Sequence, residues 1–242
     1  MAHLNYTKME SFNSRSKREQ LDKSHLYNHE RIVMKTKTPF WLKLLSLLPD
    51  GPWIWSAKDA KLESQGDFKY GKREGPWEMY FEDGQLEFKG NYKNGRREGP
   101  WEMFYENGQL KVKGSSKRGR PDGPFERYYE SGRLKERSTY EDGESKGPFE
   151  KFHLNGQLKE KGTYVHGRLH GLSQLDGLVE GYYDNGQLKK AGNYEDGQQS
   201  GLWKFYYDTG QLGKRENYKD GLLDGLWEYF DKNGQLKEKR IY

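Results

Sequence analysis

The sequence predicts an all-β protein, an elongated single-layer array of about seven antiparallel β-hairpin units. A Gly-Gln-Leu step recurs at a regular interval along most of the chain, which indicates a repeat architecture. Asn-Gly and Asp-Gly pairs, which favour tight hairpin turns, alternate with short runs of β-forming residues. Hydrophobic residues make up only 32% of the chain but aromatic residues reach 15%, which favours a thin sheet over a domain with a large core.

Each unit is anchored by a Gly-X-Leu step. Consecutive anchor glycines are 24 residues apart, except that 30 residues separate Gly156 from Gly186. The six additional residues predict a longer loop near residues 168–173. This loop is a candidate binding element, because insertions in repeat arrays tend to lie on the binding face. The seven anchors are Gly84, Gly108, Gly132, Gly156, Gly186, Gly210 and Gly234.

A large apolar residue precedes each anchor glycine, as Trp77 precedes Gly84. Side chains alternate between the two faces of a strand, so this residue shares a face with the anchor Leu. We expect these residues to stack from unit to unit as a structural ladder, because a single hairpin cannot bury them. The structural ladder comprises Trp77, Leu86, Trp101, Leu110, Phe125, Leu134, Phe149, Leu158, Leu188, Trp203, Leu212, Trp227 and Leu236, and Val179 occupies the position of Trp77 in the fifth unit.

The turn chemistry predicts the register of the strands. A two-residue type I′ turn at Asp83-Gly84 pairs Phe81 with Leu86 and Trp77 with Gly90. Gly90 opposite Trp77 leaves room for the indole ring to lie across the neighbouring strand. A second turn follows each unit, so the hairpins join into a continuous antiparallel meander.

A second aromatic residue follows three positions after each large apolar residue. The predicted register turns these residues away from the structural ladder, beside Lys and Glu side chains. Two interpretations remain open: a partner-binding stripe, because Tyr and Phe are enriched at interfaces, or aromatic packing on both faces, helped by a bulge. The aromatic stripe comprises Tyr80, Phe104, Tyr128, Phe152, Tyr182, Tyr206 and Phe230.

A family resemblance rests on two stretches of the first unit. These are residues 75–86, Gly-Pro-Trp-Glu-Met-Tyr-Phe-Glu-Asp-Gly-Gln-Leu, and residues 90–95, Gly-Asn-Tyr-Lys-Asn-Gly. The pattern resembles the variant MORN repeat, and the array most resembles the bacterial YwqK-family antitoxins of toxin–antitoxin systems. The resemblance covers residues 66–242. It implies a hairpin-repeat scaffold that binds a protein, a toxin in the antitoxin case, and it implies no active-site residues.

The residues before the array divide into two segments. Residues 1–37 are polar and charged, and we expect them to be disordered. Residues 38–65 contain an apolar run, 39–49, that is too short to cross a bilayer. Three interpretations of this short segment remain: a partly helical cap on the first sheet edge, a docking helix for a membrane or partner, and a secretion signal starting at Met34. The repeats are assigned to residues 66–242.

The composition of the chain and the spacing of its polar residues argue against catalytic sites, metal sites and nucleic-acid binding. The chain has no Cys, which excludes disulfides, thiolate metal sites and a cysteine nucleophile. Residues 61–242 carry 32 Lys and Arg against 31 Asp and Glu, a pattern that does not suggest nucleic-acid binding. His166 and His170 have the spacing of a helical metal pair but lie in a predicted loop without a third ligand, and His153 occupies an aromatic position of the repeat. We therefore expect no catalytic residues, cofactor or metal.

These observations favour a non-enzymatic protein-interaction scaffold located in the cytoplasm. Its expected partner is another protein, and the family resemblance makes that partner a toxin. One alternative is a membrane-associated scaffold that docks through the basic N-terminus and the 39–49 run. Another is a carbohydrate or cell-wall binder, because aromatic hairpin repeats can stack on sugars.

Overall fold

A computed structural model describes residues 32–35, 50–56, 62–166 and 173–242. Most of the predicted disordered segment, the apolar run 39–49 and nearly all of the insertion near 168–173 lie outside these ranges. All regular structure within the described residues is β-strand. The strands are β1 (Ile32–Lys35), β2 (Gly51–Ser56), β3 (Leu62–Lys69), β4 (Lys72–Tyr80), β5 (Leu86–Lys93), β6 (Arg96–Phe104), β7 (Leu110–Lys117), β8 (Arg120–Pro121), β9 (Gly123–Tyr128), β10 (Leu134–Glu141), β11 (Glu144–Ser145), β12 (Gly147–Phe152), β13 (Leu158–His166), β14 (Ser173–Leu175), β15 (Gly177–Tyr182), β16 (Leu188–Glu195), β17 (Gln198–Tyr206), β18 (Leu212–Lys219), β19 (Leu222–Phe230) and β20 (Leu236–Ile241).

The strands form one open sheet in which chain neighbours pair antiparallel. β1 departs from this pattern and pairs parallel with β2. The seven repeat units begin with the hairpin β4–β5 and end with β19–β20, and β2–β3 adds a further hairpin before them. The predicted all-β, single-layer hairpin array is confirmed. The part of residues 38–65 that the structure describes is strand.

Alternation along the strands gives the sheet two distinct faces. In β4, Trp77 and Met79 lie on one face, and Glu78 and Tyr80 lie on the other. We call the first the tryptophan face and the second the charged face. Because the units are in phase, equivalent residues of every unit lie on the same face.

Turns of two kinds alternate along the chain, and their types differ from the prediction. At the turn within the first unit, Gly84 has a φ of 90° and Asp83 is outside the left-handed region. The Gly84 N–H donates to the Phe81 oxygen at 2.9 Å, and the Phe81 N–H donates to the Gln85 oxygen at 2.8 Å. This is a type I turn followed by a left-handed glycine, which closes a three-residue loop. The predicted type I′ turn at Asp83-Gly84 is therefore wrong.

The turns between units are the ones that have type I′ geometry. Asn94 and Gly95 have φ values of 51° and 79°, so both central residues are left-handed. In the turn within the unit, by contrast, the Asp83 carboxylate accepts the Gln85 N–H at 2.9 Å. This local bond stabilises an Asx turn and favours the ordinary type I conformation at Asp83.

The additional loop residue shifts the register at the end of each hairpin. Trp77 lies opposite Gly90, as predicted, and Glu78 lies opposite Lys89. The predicted pairing of Phe81 with Leu86 is wrong, because Tyr80 lies opposite Leu86 after a bulge. The same shift recurs in all seven hairpins.

Trp77 is only 1% exposed although the sheet has a single layer. Its ring is covered by Phe68, with ring centres 5.2 Å apart, and by the Arg73 guanidinium, 4.6 Å from the ring centre. The indole N–H donates to the Asp67 main-chain oxygen at 3.0 Å. A Cβ added to Gly66 would overlap the ring, so this glycine lets the indole lie flat on the neighbouring strand. The expectation that Gly90 makes this room is wrong, because the indole lies over β3 and not over β5.

Burial differs among members of the structural ladder. Trp77, Trp101, Phe149 and Trp203 are buried, as is Val179 at the equivalent position of the fifth unit. Phe125, Trp227 and the leucines of the first six units are half-buried, and Leu236 in the last unit is exposed. Trp53, Phe68 and Phe88, which the ladder did not include, are also buried. The large rings therefore make the core of the tryptophan face. The expectation that the anchor leucines share that face is wrong, because the bulge places Leu86 opposite Tyr80, on the charged face.

Candidate functional site

A continuous row of ladder positions, the charge ladder, crosses the charged face. Glu78 lies opposite Lys89 within the first unit, and Lys89 lies opposite Glu102 of the second. Glu alternates with Lys or Arg along most of the array. The successive positions are Glu78, Lys89, Glu102, Lys113, Glu126, Arg137, Glu150, Lys161, Glu180, Ala191, Lys204, Arg215, Glu228 and Lys239.

Ion pairs of the charge ladder join neighbouring units. Lys89 Nζ lies 2.7 Å from Glu102 Oε2 at the first junction. The equivalent pairs are Lys113–Glu126, Arg137–Glu150, Lys161–Glu180 and Arg215–Glu228. The junction of the fifth and sixth units places Ala191 opposite Lys204 and has no such pair. Glu228 is buried, but the other pairs are partly open to solvent, and such pairs contribute only about 0–1 kcal/mol each.

The aromatic stripe lies on the charged face beside the charge ladder. All seven members are half-buried, so each ring is partly in contact with solvent. The Tyr80 hydroxyl donates to Glu78 Oε2 at 2.5 Å. Lys89 Nζ lies over the Phe104 ring, 5.6 Å from its centre. Rings, cations and carboxylates therefore form one connected surface.

These contacts fix the charge states of the surface. Hydrogen bonds from the Lys113 ammonium and then the Tyr128 hydroxyl lower the pKa of Glu126. Burial, followed by the hydrogen bond to Glu78, raises the pKa of Tyr80 to about 12. At neutral pH Glu126 is therefore ionised and the Tyr80 hydroxyl keeps its proton.

Hydrogen bonds also join adjacent units along both rows of turns, at the two ends of the strands. At the turns within units, the Tyr105 hydroxyl donates to the main-chain oxygen of Tyr128 in the next unit at 2.9 Å. Tyr129, Tyr183 and Tyr207 make the equivalent bond. At the turns between units, Glu74 Oε2 accepts the Asn94 N–H at 2.8 Å. Adjacent units are thus joined by hydrogen bonds at both ends of their strands, which restrains the charged face between them.

Cations cluster at the turns between units in the N-terminal half of the sheet. A recess of about 340 Å³ is lined there by Arg96, Lys117, Arg118, Arg120 and Asp142. The turns further along carry acidic residues such as Glu141 and Glu195. We call the cationic cluster the basic edge. It comprises Lys69, Lys72, Arg73, Lys93, Arg96, Arg97, Lys117, Arg118 and Arg120.

A shallow groove of about 540 Å³ crosses the charged face in the middle of the array. Glu150 and Lys161 of the charge ladder line it, together with the apolar side chains of Pro148 and Leu178. Deep apolar cavities are typical of small-ligand sites, whereas this groove is open and carries charges of both signs.

The histidines that the sequence analysis considered have separate surroundings. His153 Nε2 lies 3.0 Å from the Tyr182 main-chain oxygen, in the position that Tyr129 fills in the preceding unit. His166 ends β13 rather than lying in the predicted loop, and His170 lies outside the described residues. Within the described part of the chain, no three His, Cys, Asp or Glu side chains are grouped to hold a metal ion. Nor does that part contain a helix long and apolar enough to cross a membrane.

Fold and surface together define a repeat protein: an open sheet of in-phase hairpins with one ring-packed face and one charged, aromatic face. The family described as MORN repeat variant matches residues 73–94, 97–118, 121–142, 146–166, 175–196, 199–220 and 223–242. The chain belongs to this family, whose repeats are a non-catalytic type that generally mediates protein or membrane interactions. None of the curated proteins compared with the chain matches it.

Two features of the site were not predicted from the sequence. The net charge of residues 61–242 conceals the basic edge, because the cationic early turns are averaged against the acidic later ones. The exchange at Ala191 and Lys204 leaves the aromatic and glycine pattern of the repeat unchanged, so that pattern does not indicate it. The charge at each repeat position is the signal that indicates both.

Proposed function

We propose that the chain is a non-catalytic protein-interaction scaffold that binds its partner on the charged face. The aromatic stripe carries this proposal, because its half-buried rings follow a solvent-facing surface beside charges of defined state. Tyr, Phe and Arg are enriched at protein interfaces. A framework joined by hydrogen bonds at both ends of its strands also loses little conformational entropy when it binds.

A toxin is the partner that we propose, with the chain acting as an antitoxin by direct binding. The resemblance to the YwqK-family antitoxins supports this identity. A long face of repeated rings and charges also suits a protein surface better than a small ligand. We propose a cytoplasmic location for the complex, because a chain without Cys fits a reducing compartment.

Replacing two rings of the stripe tests the proposal. The bait is the full chain, as wild type or as Tyr128→Ser/Tyr182→Ser, and partners captured from native lysate are identified by mass spectrometry. We expect one stoichiometric partner with the wild type and a loss of about tenfold or more with the double variant, as for paired interface hot spots. The control is Tyr70→Ser, since Tyr70 is 79% exposed on a turn outside the stripe.

Equal capture by all three proteins would exclude the stripe as the binding surface. Capture that depends on residues 1–60 and not on the stripe would move the function to the N-terminal segment. Melting curves of each bait separate a lost contact from a lost fold.

A membrane-associated scaffold is the second candidate, and the basic edge favours it. Each Lys or Arg near an anionic membrane surface contributes about 1 kcal/mol of attraction. The recess lined by Arg96, Lys117 and Arg118 places several such cations side by side. The apolar run 39–49, on which the sequence-based version of this hypothesis depends, lies outside the described residues.

Sedimentation with phosphatidylserine vesicles tests the second candidate. We expect the wild type to sediment and Lys93→Glu/Arg118→Glu to remain largely in solution, because the variant reverses two charges of the basic edge. Lys135→Glu/Lys159→Glu makes the same change in net charge at exposed residues outside that edge. Equal sedimentation of both variants would mean that the basic edge is not a membrane contact.

A further inference from the structure

The junction of the fifth and sixth units departs from the charge ladder. Elsewhere a cation meets a carboxylate, as Lys161 meets Glu180, but here Ala191 lies opposite Lys204. Lys204 also lies opposite Arg215, so two cations face each other on adjacent strands. Like charges in directly opposite positions destabilise a sheet. A sequence that breaks its own pattern at a cost in stability points to a functional position.

The charged neighbours of Lys204 already have partners. Arg215 pairs with Glu228, and Glu180 Oε2 lies 2.6 Å from Lys161 Nζ. Lys204 itself is exposed, and no carboxylate among the described residues forms an ion pair with it. Its exposed ammonium is therefore available to pair with a carboxylate of another molecule. The methyl group of Ala191 leaves space for that group, since the equivalent position elsewhere carries Lys or Arg.

Exposed leucines flank the unpaired cation on the same face. Leu202 precedes Lys204 by two residues in β17 and is 43% exposed. Leu178 in β15 shares a face with Glu180 and is 55% exposed. In the first four units the equivalent residues are Pro76, Pro100, Pro124 and Pro148. Leucine occupies all three later positions, Leu178, Leu202 and Leu226, so the change from Pro to Leu begins in the unit that contains Ala191.

We propose that this junction binds an extended segment of the partner protein in which Glu or Asp lies between aliphatic residues. We name it the leucine–lysine site, formed by Leu178, Ala191, Leu202 and Lys204. The incoming carboxylate pairs with Lys204 and offsets its repulsion by Arg215, while the aliphatic side chains cover the leucines. Leu178 and Leu202 lie two strands apart, about 10 Å, which about three residues of extended chain span.

This inference rests on the proposed function, because it names the chemistry of the partner on the charged face. Its test uses the full chain and two fluorescein-labelled synthetic peptides: one alternates Leu with Glu, and the other carries Lys in place of each Glu. Binding is read by fluorescence anisotropy. We expect only the acidic peptide to bind the wild type.

Lys204→Glu is the informative variant, because it should remove binding without unfolding the sheet. The substitution restores the alternation of Glu with Arg at Arg215, so we expect an unchanged or higher melting temperature. Affinity for the acidic peptide should fall about tenfold or more, since a charge pair becomes a repulsion. Leu202→Ser should weaken binding as well, by loss of apolar contact. Lys159→Glu, the same charge change at an exposed residue of the fourth unit, should bind as the wild type does.

Four results would overturn the leucine–lysine site. These are no binding of the acidic peptide, equal binding of the Lys peptide, unchanged affinity in Lys204→Glu, and displacement of the peptide by an equal concentration of inorganic phosphate. If one of these occurs while the stripe variant still loses its captured partner, the scaffold function stands and only this site is wrong. If the stripe variant also captures normally, the proposed function itself fails.

Discussion

Glu216 occupies the position that Gly90, Gly114 and Gly192 fill beside a tryptophan in the first, second and fifth units. It lies between Trp203 and Trp227 and is only 3% exposed. Its carboxylate is bound by Lys214 Nζ at 2.8 Å, the Tyr218 hydroxyl at 2.7 Å and the Trp227 indole N–H at 2.7 Å. Trp203 instead donates to a main-chain oxygen. The last tryptophan of the array is therefore anchored by a buried charge.

This carboxylate makes stability depend on pH. Burial by itself raises the pKa of Glu216, but hydrogen bonds from Lys214, Tyr218 and Trp227 outweigh it and lower the pKa below the usual 4.5. A lowered pKa contributes stability above the unfolded-state value, and this contribution is lost as the pH falls through the folded-state pKa. We expect Glu216→Gln to cost about 1–3 kcal/mol at neutral pH. In denaturant titrations the gap to the wild type should close as the pH falls below about 4.5. A constant gap would contradict the assignment.

At the scale of the elements, the turn between units two and three is strained. Arg118 has a φ of 53°, where the first, third, fifth and sixth units place Asn or Asp. The left-handed region costs most L-residues about 1–2 kcal/mol, and Asn tolerates it better. The Arg118 N–H is held by Glu98 Oε2 at 2.7 Å, which keeps the turn in place.

Relief of this strain is measurable. We expect Arg118→Asn to raise the free energy of unfolding by about 0.5–1 kcal/mol, because the main-chain bond to Glu98 is kept. The converse substitution, Asn94→Arg at the equivalent turn, should lower it by a similar amount. Opposite shifts in denaturant midpoint support this explanation, and no change in either variant would show that the turn conformation carries no strain.

Some features of the strands and turns could be predicted from the sequence and others could not. The hairpins and the pairing of Trp77 with Gly90 followed from the spacing of turns, rings and glycines. The register at the hairpin ends did not follow from the sequence, because an Asp-Gly pair is compatible with both turn types. The hydrogen bond that the Gln85 N–H donates to the Asp83 carboxylate decides between them. The stripe could be placed on the charged face from alternation alone. The leucine–lysine site depends on which side chains meet across units, so it required the register.

For the molecule as a whole, each strand pairs mainly with its neighbours, so stability should be a sum of units and junctions. Such arrays need not unfold as one cooperative block. Trp101 is a suitable probe, because it is buried and its indole N–H donates to Ser116 Oγ at 2.9 Å. Its ring is shared between the second unit and its neighbours.

Removing this ring should weaken one region of the array. We expect Trp101→Ala to cost about 3–5 kcal/mol, as for other buried aromatic residues. Hydrogen exchange should accelerate in the first three units, while β17, β18 and β19 keep their protection. Equal acceleration everywhere would indicate a single cooperative unit. An unchanged melting temperature would mean that the ring is not buried in solution.

Carboxylates that accept a hydrogen bond from the next turn constrain the length of each repeat. Asp50, Glu74, Glu98 and Asp122 each accept an N–H from the residue twenty positions later. Gain or loss of an entire repeat by gene duplication or deletion preserves this spacing, whereas any other change in length breaks it. At the longer interval before β14, the equivalent position is Lys146. The inserted stretch therefore follows a position without this carboxylate, so its additional length does not disturb such a hydrogen bond.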